Sequence, residues 1–551
     1  MSKNLRELSR RKGIENNLFN KMGELAQETG TVSDSDLKRL SEEFLIGNAN
    51  AFGTATFYDF MKPENKGKKA YVCNGSACLC AGTQDQVYEE LEEHLDASEI
   101  GHMTCLGRCH ENGAFHYKGK NYSAKSSVEI SQIIKYGLIK HKDNYHVQSC
   151  CAETLTSKFE GLDFLKELLD KTLKKTPEEC LTEVLDSQLR GRGGAGFPMG
   201  IKLKSAKDTP SDLRYIVCNA DEGDPGAYSD RYLMEQQPYM VLFGMIAAGY
   251  AIGSSWGILY IRAEYPDSAI IIQESIDKML ELGLAGENIL GTGFDFHFKI
   301  IRAQGSYICG EETALLSSIE GQRPEVRIRP PYPAQEGLFG KPTVVNNVET
   351  LAALYYIFKT SGKEYAKLGT EKSKGTKLIS LDGFFHNSGI YEVEMGTPLD
   401  TVINELGGGF NAPVKAFHTG GPLGGIVPVH KISELSIDFE SFANAGFLLG
   451  HATIVCIPED FPMIEYIEHL FEFTAFESCG KCFPCRLGSK RGQELLTKAR
   501  TEDDYQIDRE LFNDLLSTLE QGSLCALGGG LPLPVKNALM YFEDELKEYF
   551  K

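Results

Sequence analysis

Positive charge is what this sequence is short of. Its 57 Lys and Arg face 77 Asp and Glu, a formal charge of −20 at pH 7. Nucleic acid and anionic membrane surfaces need clustered cations, so neither is expected as a partner. A targeting segment is also missing: Met1 to Lys12 is polar and charged, with no apolar core and no small-residue cleavage site. There is no long repeat and no low-complexity tract. One charge-free stretch, Gln236 to Ile261, is long enough to span a bilayer. Gly244, Gly249, Gly253, Ser254, Ser255 and Gly257 break it, and Pro238 sits near its start. It reads as a buried helix from about Tyr239 to Ile252, a Gly-Ser-Ser turn and a buried strand from Gly257 to Arg262. The expectation is a soluble, cytoplasmic protein whose only membrane role would come through partners.

What is present is 551 residues of ordinary globular composition, 42% apolar and 24% charged, too many for one hydrophobic core. Residues 1–60 read as helices, one of them opened by Ser33 and Asp34 ahead of Leu37, Leu40, Phe44 and Leu45. Then come a strand at Ala70–Val72, an amphipathic helix at Val87–Leu95 and a hairpin from Ala114 to Lys120. Gly137 to Gln148 is a polar connection, and Leu155 to Leu189 is helical. From Gly191 to about Thr360 strands alternate with helices, the pattern of an α/β layer on a largely parallel sheet. Thr376–Leu381, Gly389–Val393 and a helix at Leu399–Leu406 make a small α+β module, and the chain is mainly helical from Tyr466 onward.

The 15 cysteines carry most of the chemistry. Cys73 and Cys78, with Cys105 and Cys109, form two close pairs on small, glycine-bearing loops. Four thiolates on two loops can hold zinc, a 2Fe–2S cluster or two disulfides. Disulfides are disfavoured without a sign of an oxidising compartment. Cluster ligation is preferred to zinc, because such loops let backbone N–H groups approach bridging sulfides. In the second group, Cys479, Cys482 and Cys485 stand at C-x2-C-x2-C, with Cys525 forty residues later. Three thiolates on one tight turn cap three corners of a cubane, and a distant fourth completes it. Gly480 and Pro484 suit a sharply wound loop rather than a helix interior. Cys80, Cys150, Cys151, Cys180, Cys218, Cys309 and Cys456 are read as buried small hydrophobes or spare thiols.

Four glycine- or amide-rich loops suggest a nucleotide pocket. Arg190–Pro198 offers glycine backbone that can touch a planar ring, although it follows a helix where a dinucleotide fingerprint needs a strand. Asn219–Gly226 follows the strand ending at Cys218, at the position where parallel sheets bind ligands. Ser306–Thr313 and Val345–Thr350 each lead into a helix, and free N–H groups there can take a phosphate.

These segments in order resemble the NADH-binding flavoprotein subunit family of respiratory complex I, NAD-dependent hydrogenases, formate dehydrogenases and electron-bifurcating complexes. The residues that carry the resemblance are Gly191–Pro198, Asn219–Gly226, Tyr307–Thr313, Val345–Thr350 and Glu477–Arg486. The first 140 residues, through Ala51–Tyr58 and both cysteine pairs, resemble the thioredoxin-like 2Fe–2S subunit of the same systems. The resemblance implies an α/β multidomain chain. It would comprise a helical segment (1–60), a thioredoxin-like 2Fe–2S domain (61–145) and a Rossmann-like FMN and NADH domain (150–365). A β-grasp-like module (370–455) and a helical 4Fe–4S domain (456–551) would follow. It implies FMN contacts from Gly191, Arg192, Gly193, Lys202, Asn219, Asp221, Glu222, Gly310, Glu311, Val345, Asn346, Asn347 and Thr350. NADH would lie by Phe197, Tyr332, Lys202, Tyr307, Glu312 and Asp224; the family commonly has Glu at the last of these and an aromatic residue near Ser205. One 2Fe–2S cluster would sit on Cys73, Cys78, Cys105 and Cys109, and one 4Fe–4S cluster on Cys479, Cys482, Cys485 and Cys525. The implied activity is hydride exchange between NAD(H) and FMN followed by single-electron passage to the clusters, with no side chain as catalytic acid or base. The chain carries no ferredoxin-type C-x2-C-x2-C-x3-C insert and no metal site for hydrogen or formate chemistry. It is therefore expected to serve other redox subunits of a hydrogenase, formate dehydrogenase, transhydrogenase or bifurcating complex, with ferredoxin as a further candidate partner. Flavin-based bifurcation is the alternative activity, and a zinc-bearing assembly scaffold the alternative of another class.

Overall fold

The computed structural model describes residues 14, 17–29, 31–123, 126–136 and 145–551. The expectations for Met1 to Lys12 lie outside those residues, as does most of the polar connection from Gly137.

The first sheet contains β1 (Ala70–Cys73), β2 (Ile100–Met103), β3 (Ala114–Tyr117) and β4 (Lys120–Ser123), in the order β2-β1-β3-β4. β1 and β2 are parallel and β3–β4 is the expected hairpin. The helices Gln84–Glu92 and Ser127–Tyr136 pack on this sheet through Val87, Leu91, Ile130 and Ile133. The chain then forms β5 (His146–Ser149), where the sequence suggests only a connection. This strand is short, polar and mostly exposed, so it has no apolar alternation to read. It pairs in parallel with β11 (Gly389–Glu394) at the edge of the β-grasp sheet. The helical stretch after it resolves into two helices, Leu162–Leu173 and Pro177–Ser187, the second opened by a reciprocal Thr176–Glu179 capping box.

β6 (Tyr215–Ala220), β7 (Trp256–Ile261), β8 (His297–Arg302) and β9 (Thr343–Asn347) form an all-parallel sheet in the order β8-β7-β6-β9. Both faces are buried, and alternate residues of β6 explain how. Ile216, Cys218 and Ala220 enter one core beneath the helices Pro238–Ile252 and Val348–Lys359. Tyr215 and Val217 enter another, which the N-terminal helices Leu18–Thr29, Asp34–Glu43 and Asn48–Ala55 cover through Phe19, Met22, Leu40 and Ala51. Helices that read as a separate segment therefore close the open face of the parallel sheet. Ser33 caps one of them, accepting the Asp36 N–H at 3.2 Å. The charge-free stretch forms the buried helix and β7, and no helix among the described residues is long and apolar enough to cross a membrane.

The third sheet runs β13-β12-β14-β10-β11-β5, with β10 (Thr376–Leu381), β12 (Val414–Thr419), β13 (Gly425–Pro428) and β14 (Thr453–Pro458). The expected helix at Leu399–Leu406 is a wide π-type turn over Thr401–Leu406. Two buried carboxylates bind this sheet to the parallel-sheet domain. Glu392 on β11 accepts the N–H groups of Thr154, Leu155 and Thr156 and three threonine hydroxyls. Glu349 pairs with Lys377 on β10, both fully buried. The C-terminal helices Met463–Glu477, Ser489–Thr501, Arg509–Gly522 and Pro532–Tyr541 pack around Phe471, Leu496, Phe512 and Val535.

Candidate flavin and iron–sulfur sites

The loops after β6, β8 and β9 meet at the carboxyl edge of the parallel sheet. Register places Asn219 directly beside Asn347. The Asn219 amide donates to Gly310 O at 2.8 Å, joining the β6 loop to the Tyr307–Gly310 turn. Asn347 closes β9, and its Oδ1 caps the next helix by accepting Glu349 N–H at 2.9 Å. The Arg190–Pro198 loop folds back on itself: Gly191 N–H donates to Phe197 O at 2.9 Å, and Arg192 N–H donates to the Thr350 hydroxyl at 2.8 Å. A Cβ on Gly193 would stand 2.9 Å from that of Asn347, so glycine is what lets this loop lie against β9. Lys202 donates to Val345 O at 3.1 Å and lies 3.4 Å from Glu312. Glu311 caps its helix through Thr313 and Ala314 N–H, both at 2.9 Å, and stands 3.4 Å from Arg329.

Three buried polar atoms from three of these loops lack any protein partner: Arg192 Nη1, Asp221 Oδ2 and Asn346 Nδ2. Leaving such groups unpaired is costly, and a ligand rich in oxygen and ring nitrogen would satisfy them. The residues present therefore fit a flavin mononucleotide. Burial pushes the Asp221 carboxyl well above its usual range. Burial also raises Asp224, which accepts the Tyr307 hydroxyl at 2.7 Å. Phe197 and Tyr332 are 48% and 56% exposed, apolar surfaces on which a planar base can stack.

The four N-terminal cysteines are buried and unpaired by any disulfide. Cys105 Sγ and Cys109 Sγ lie 3.7 Å apart. A hydrogen bond from Cys78 and backbone N–H groups of Gly75, Leu106 and Cys105 bring the Cys73 thiol down to about 7. Sulfur atoms ringed by amide N–H groups suit a cluster of thiolates and sulfides. The flavin loop reaches this site, since Gly226 N–H donates to Cys109 Sγ at 3.1 Å. Arg262, fully buried, donates to Cys105 O at 2.9 Å and also to Glu222 O, with Glu264 as its ion-pair partner at 2.8 Å.

Of the second group, Cys479 and Cys485 are buried and Cys482 and Cys525 half-buried, all against one core that also contains Tyr307 and Val345. Cys479 follows the helix ending at Glu477, and Gly480 takes φ +79°. Pro484 opens a π-type turn, Pro484–Gly488, at a first-turn position where its missing N–H costs nothing, and Cys485 follows it in that turn. Glu477 accepts the Tyr307 N–H at 2.9 Å, tying this cluster loop to the flavin pocket.

Among the remaining cysteines, Cys80, Cys180, Cys218, Cys309 and Cys456 are buried. Cys150 is exposed and Cys151 half-buried, because β5 lies on a sheet edge. Sequence reasoning passes over Asp230, Arg262, Tyr265 and His451. They sit in no glycine or cysteine pattern and reach the site only through folding.

The Nuo51 FMN-binding domain matches residues 184–356, and the NADH-ubiquinone oxidoreductase-F iron–sulfur binding region matches 465–549. The thioredoxin-like [2Fe-2S] ferredoxin matches 6–137. The NADP-reducing hydrogenase subunit HndC of Solidesulfovibrio fructosivorans is 42% identical over 70% of this chain and 78% of its own length. The NAD-reducing hydrogenase HoxS subunit alpha of Cupriavidus necator is 32% identical over 98% of this chain and 92% of its own. The crystal structure of an NAD+-reducing [NiFe]-hydrogenase in the H2-reduced state superposes with a TM-score of 0.86 at 26% identity. That match covers 97% of this chain and 93% of the other. With iron–sulfur domains matching over both cysteine groups, the zinc scaffold gives way to cluster ligation. The chain therefore belongs to the FMN-binding iron–sulfur flavoprotein subunit family of NADH-quinone oxidoreductases and NAD-reducing hydrogenases, and carries the thioredoxin-like 2Fe–2S domain in the same polypeptide.

Proposed function

We propose that this protein exchanges electrons between NAD(H) and partner redox subunits through the pocket at the carboxyl edge of β6 and β9. The observation that carries the reading is that the meeting loops present three buried polar atoms without protein partners, Arg192 Nη1, Asp221 Oδ2 and Asn346 Nδ2, while Glu477 and Tyr307 tie the second cysteine group to one of those loops. FMN held there would supply the chemistry: acceptance of one hydride, two electrons with a proton, from the nicotinamide, and release of those electrons singly to the clusters.

The protein's own part is binding and electrostatics. Gly191, Gly193 and Gly310 present bare backbone. Arg192, Asn219, Asp221, Asn346, Asn347 and Thr350 supply polar contacts, with Lys202, Glu222, Glu311 and Val345 beside them. Phe197 and Tyr332 offer stacking faces for the dinucleotide, which Tyr307, Asp224, Glu312 and Lys202 orient. Cys73, Cys78, Cys105 and Cys109 hold the 2Fe–2S cluster, and Cys479, Cys482, Cys485 and Cys525 hold the 4Fe–4S cluster. Half-buried Cys482 lies beside exposed Phe483, which Arg486 covers at 4.8 Å, with Lys481, Lys490 and Arg491 nearby in the chain. This exposed apolar edge beside Cys482 supports electron exchange with an iron–sulfur partner subunit. Fifteen cysteines without a disulfide support a reducing compartment, the cytoplasm.

The test is anaerobic purification with native partners, followed by NADH titration under a spectrophotometer. Bleaching of flavin absorption and reduction of partner clusters by NADH alone are expected. Turnover that requires ferredoxin and a second acceptor together would replace this reading with bifurcation.

A further inference from the structure

His451 stands on the turn leading into β14, where the β-grasp sheet meets the flavin domain, and it is 5% exposed. Its Nε2 lies 3.4 Å from Asp230 Oδ2 and 3.8 Å from Glu222 Oε1. Asp230 Oδ2 also receives the Asn347 amide at 2.5 Å. The chain of contacts runs from the β-grasp module, through Asp230, to a side chain at the mouth of the flavin pocket.

Three ligand-type atoms this close invite a metal ion. The hydrogen bonds argue against one. Glu222 already accepts Asp230 N–H at 2.8 Å, Arg231 N–H and the Tyr265 hydroxyl at 3.1 Å each, and the Ser229 hydroxyl at 3.3 Å. Asp230 holds the Asn347 amide. Both Glu222 oxygens and Asp230 Oδ2 are thus already engaged, leaving only Asp230 Oδ1 buried without a partner, and one proton on the imidazole neutralises a buried negative charge without disturbing those bonds. Burial disfavours the imidazolium, but the Asp230 hydrogen bond and the Asp230 and Glu222 charges overcome it and hold His451 at about 9. The Asp224 carboxyl, raised by burial, also faces it, and Lys377 opposes it as a cation.

We propose that His451, as a buried imidazolium, is a positioning residue of the flavin pocket: it fixes Asp230 so that the Asn347 amide is held in place, and its charge favours reduced over oxidised FMN. The inference rests on Asn347 lying in that pocket. Reduced FMN carries more negative charge on its ring than oxidised FMN, and a cation in a low-dielectric site favours the more negative form.

The test uses the holoprotein with His451→Gln and, as a second neutral replacement, His451→Asn. Their iron content and circular dichroism are compared with the parent to confirm folding. Dissociation constants for oxidised and dithionite-reduced FMN are measured, with the midpoint potential taken by spectroelectrochemistry at pH 7. Reduced FMN is expected to weaken about tenfold more than oxidised FMN, which for a two-electron couple is a fall of about 30 mV. His451→Lys should restore the potential. Equal weakening of both redox forms, or an unchanged potential, would overturn the inference, since a merely structural role moves both forms alike. Asn347→Ala separates the two levels. If it leaves FMN affinity untouched, the pocket assignment itself falls. If it weakens FMN while His451→Gln leaves the potential unchanged, only the role of His451 falls.

Discussion

The backbone N–H of Gly226 donates to the sulfur of Cys109 across 3.1 Å, so the loop that carries Asp221, Glu222 and Asp224 ends on a cysteine proposed to hold the 2Fe–2S cluster. Gly226 has φ +94°, and a Cβ there would meet Val455 Cγ2 at 2.6 Å and Thr453 Cβ at 3.1 Å. Gly226→Ala should therefore cost about 1–3 kcal/mol through backbone strain and overpacking. It should also shift the 2Fe–2S signal in electron paramagnetic resonance, because the amide that donates to Cys109 must move. An unchanged spectrum with full stability would show that this contact does not constrain the cluster.

Cys482→Ser removes one of the two half-buried thiols of the second cysteine group, a proposed 4Fe–4S ligand. The variant should keep FMN and let NADH bleach it, because the flavin loops lie on other elements. It should lose the 4Fe–4S share of its iron and fail to reduce partner subunits. Stopped-flow bleaching alongside a partner-reduction assay checks both halves. Undiminished transfer to the partner would take this cluster off the path.

Lys377 and Glu349 are paired at zero exposure, and Glu349 also accepts Leu378 N–H at 3.1 Å. Lys377→Met leaves a buried carboxylate without its counter-charge and should destabilise the flavin domain by about 3–5 kcal/mol. Adding Glu349→Gln should recover part of that loss. Thermal unfolding followed by flavin fluorescence reads both variants, and additive losses in the double variant would mean the pair is not coupled.

Stability should fall in alkali. His451 is held at about 9 against an ordinary 6.5, so its contribution is fully present below pH 6.5 and is lost as pH rises through 9. Burial and the neighbouring Asp230 charge push Glu222 up to about 7, which removes stability in the same direction between pH 4.5 and 7. The His451 share is at most about 3.5 kcal/mol. Unfolding temperatures at pH 7 and 9.5 should differ clearly for the parent and much less for His451→Gln.

The elements legible in advance were those whose signal is local. Cysteines at C-x2-C-x2-C can be read because ligands to one cubane must lie on one turn. β6 and β7 can be read because a strand buried on both faces is an unbroken apolar run. β5 could not be, since a polar edge strand owes its conformation to β11 and not to its own residues. The wide turn at Thr401–Leu406 read as an ordinary helix, because the spacing of apolar residues does not distinguish the two.

The sequence by itself therefore determined the chemistry on offer: two sets of thiolates, glycine loops after parallel strands, and amide caps at helix starts. Only the tertiary structure decided how these parts meet. The N-terminal helices seal one face of the nucleotide sheet, Gly226 touches Cys109, and His451 reaches Asn347 through Asp230. Spacing along the chain fixes which atoms are neighbours within a turn or a strand. Contacts between residues a hundred or more positions apart are set by packing of whole layers, and no short pattern encodes them.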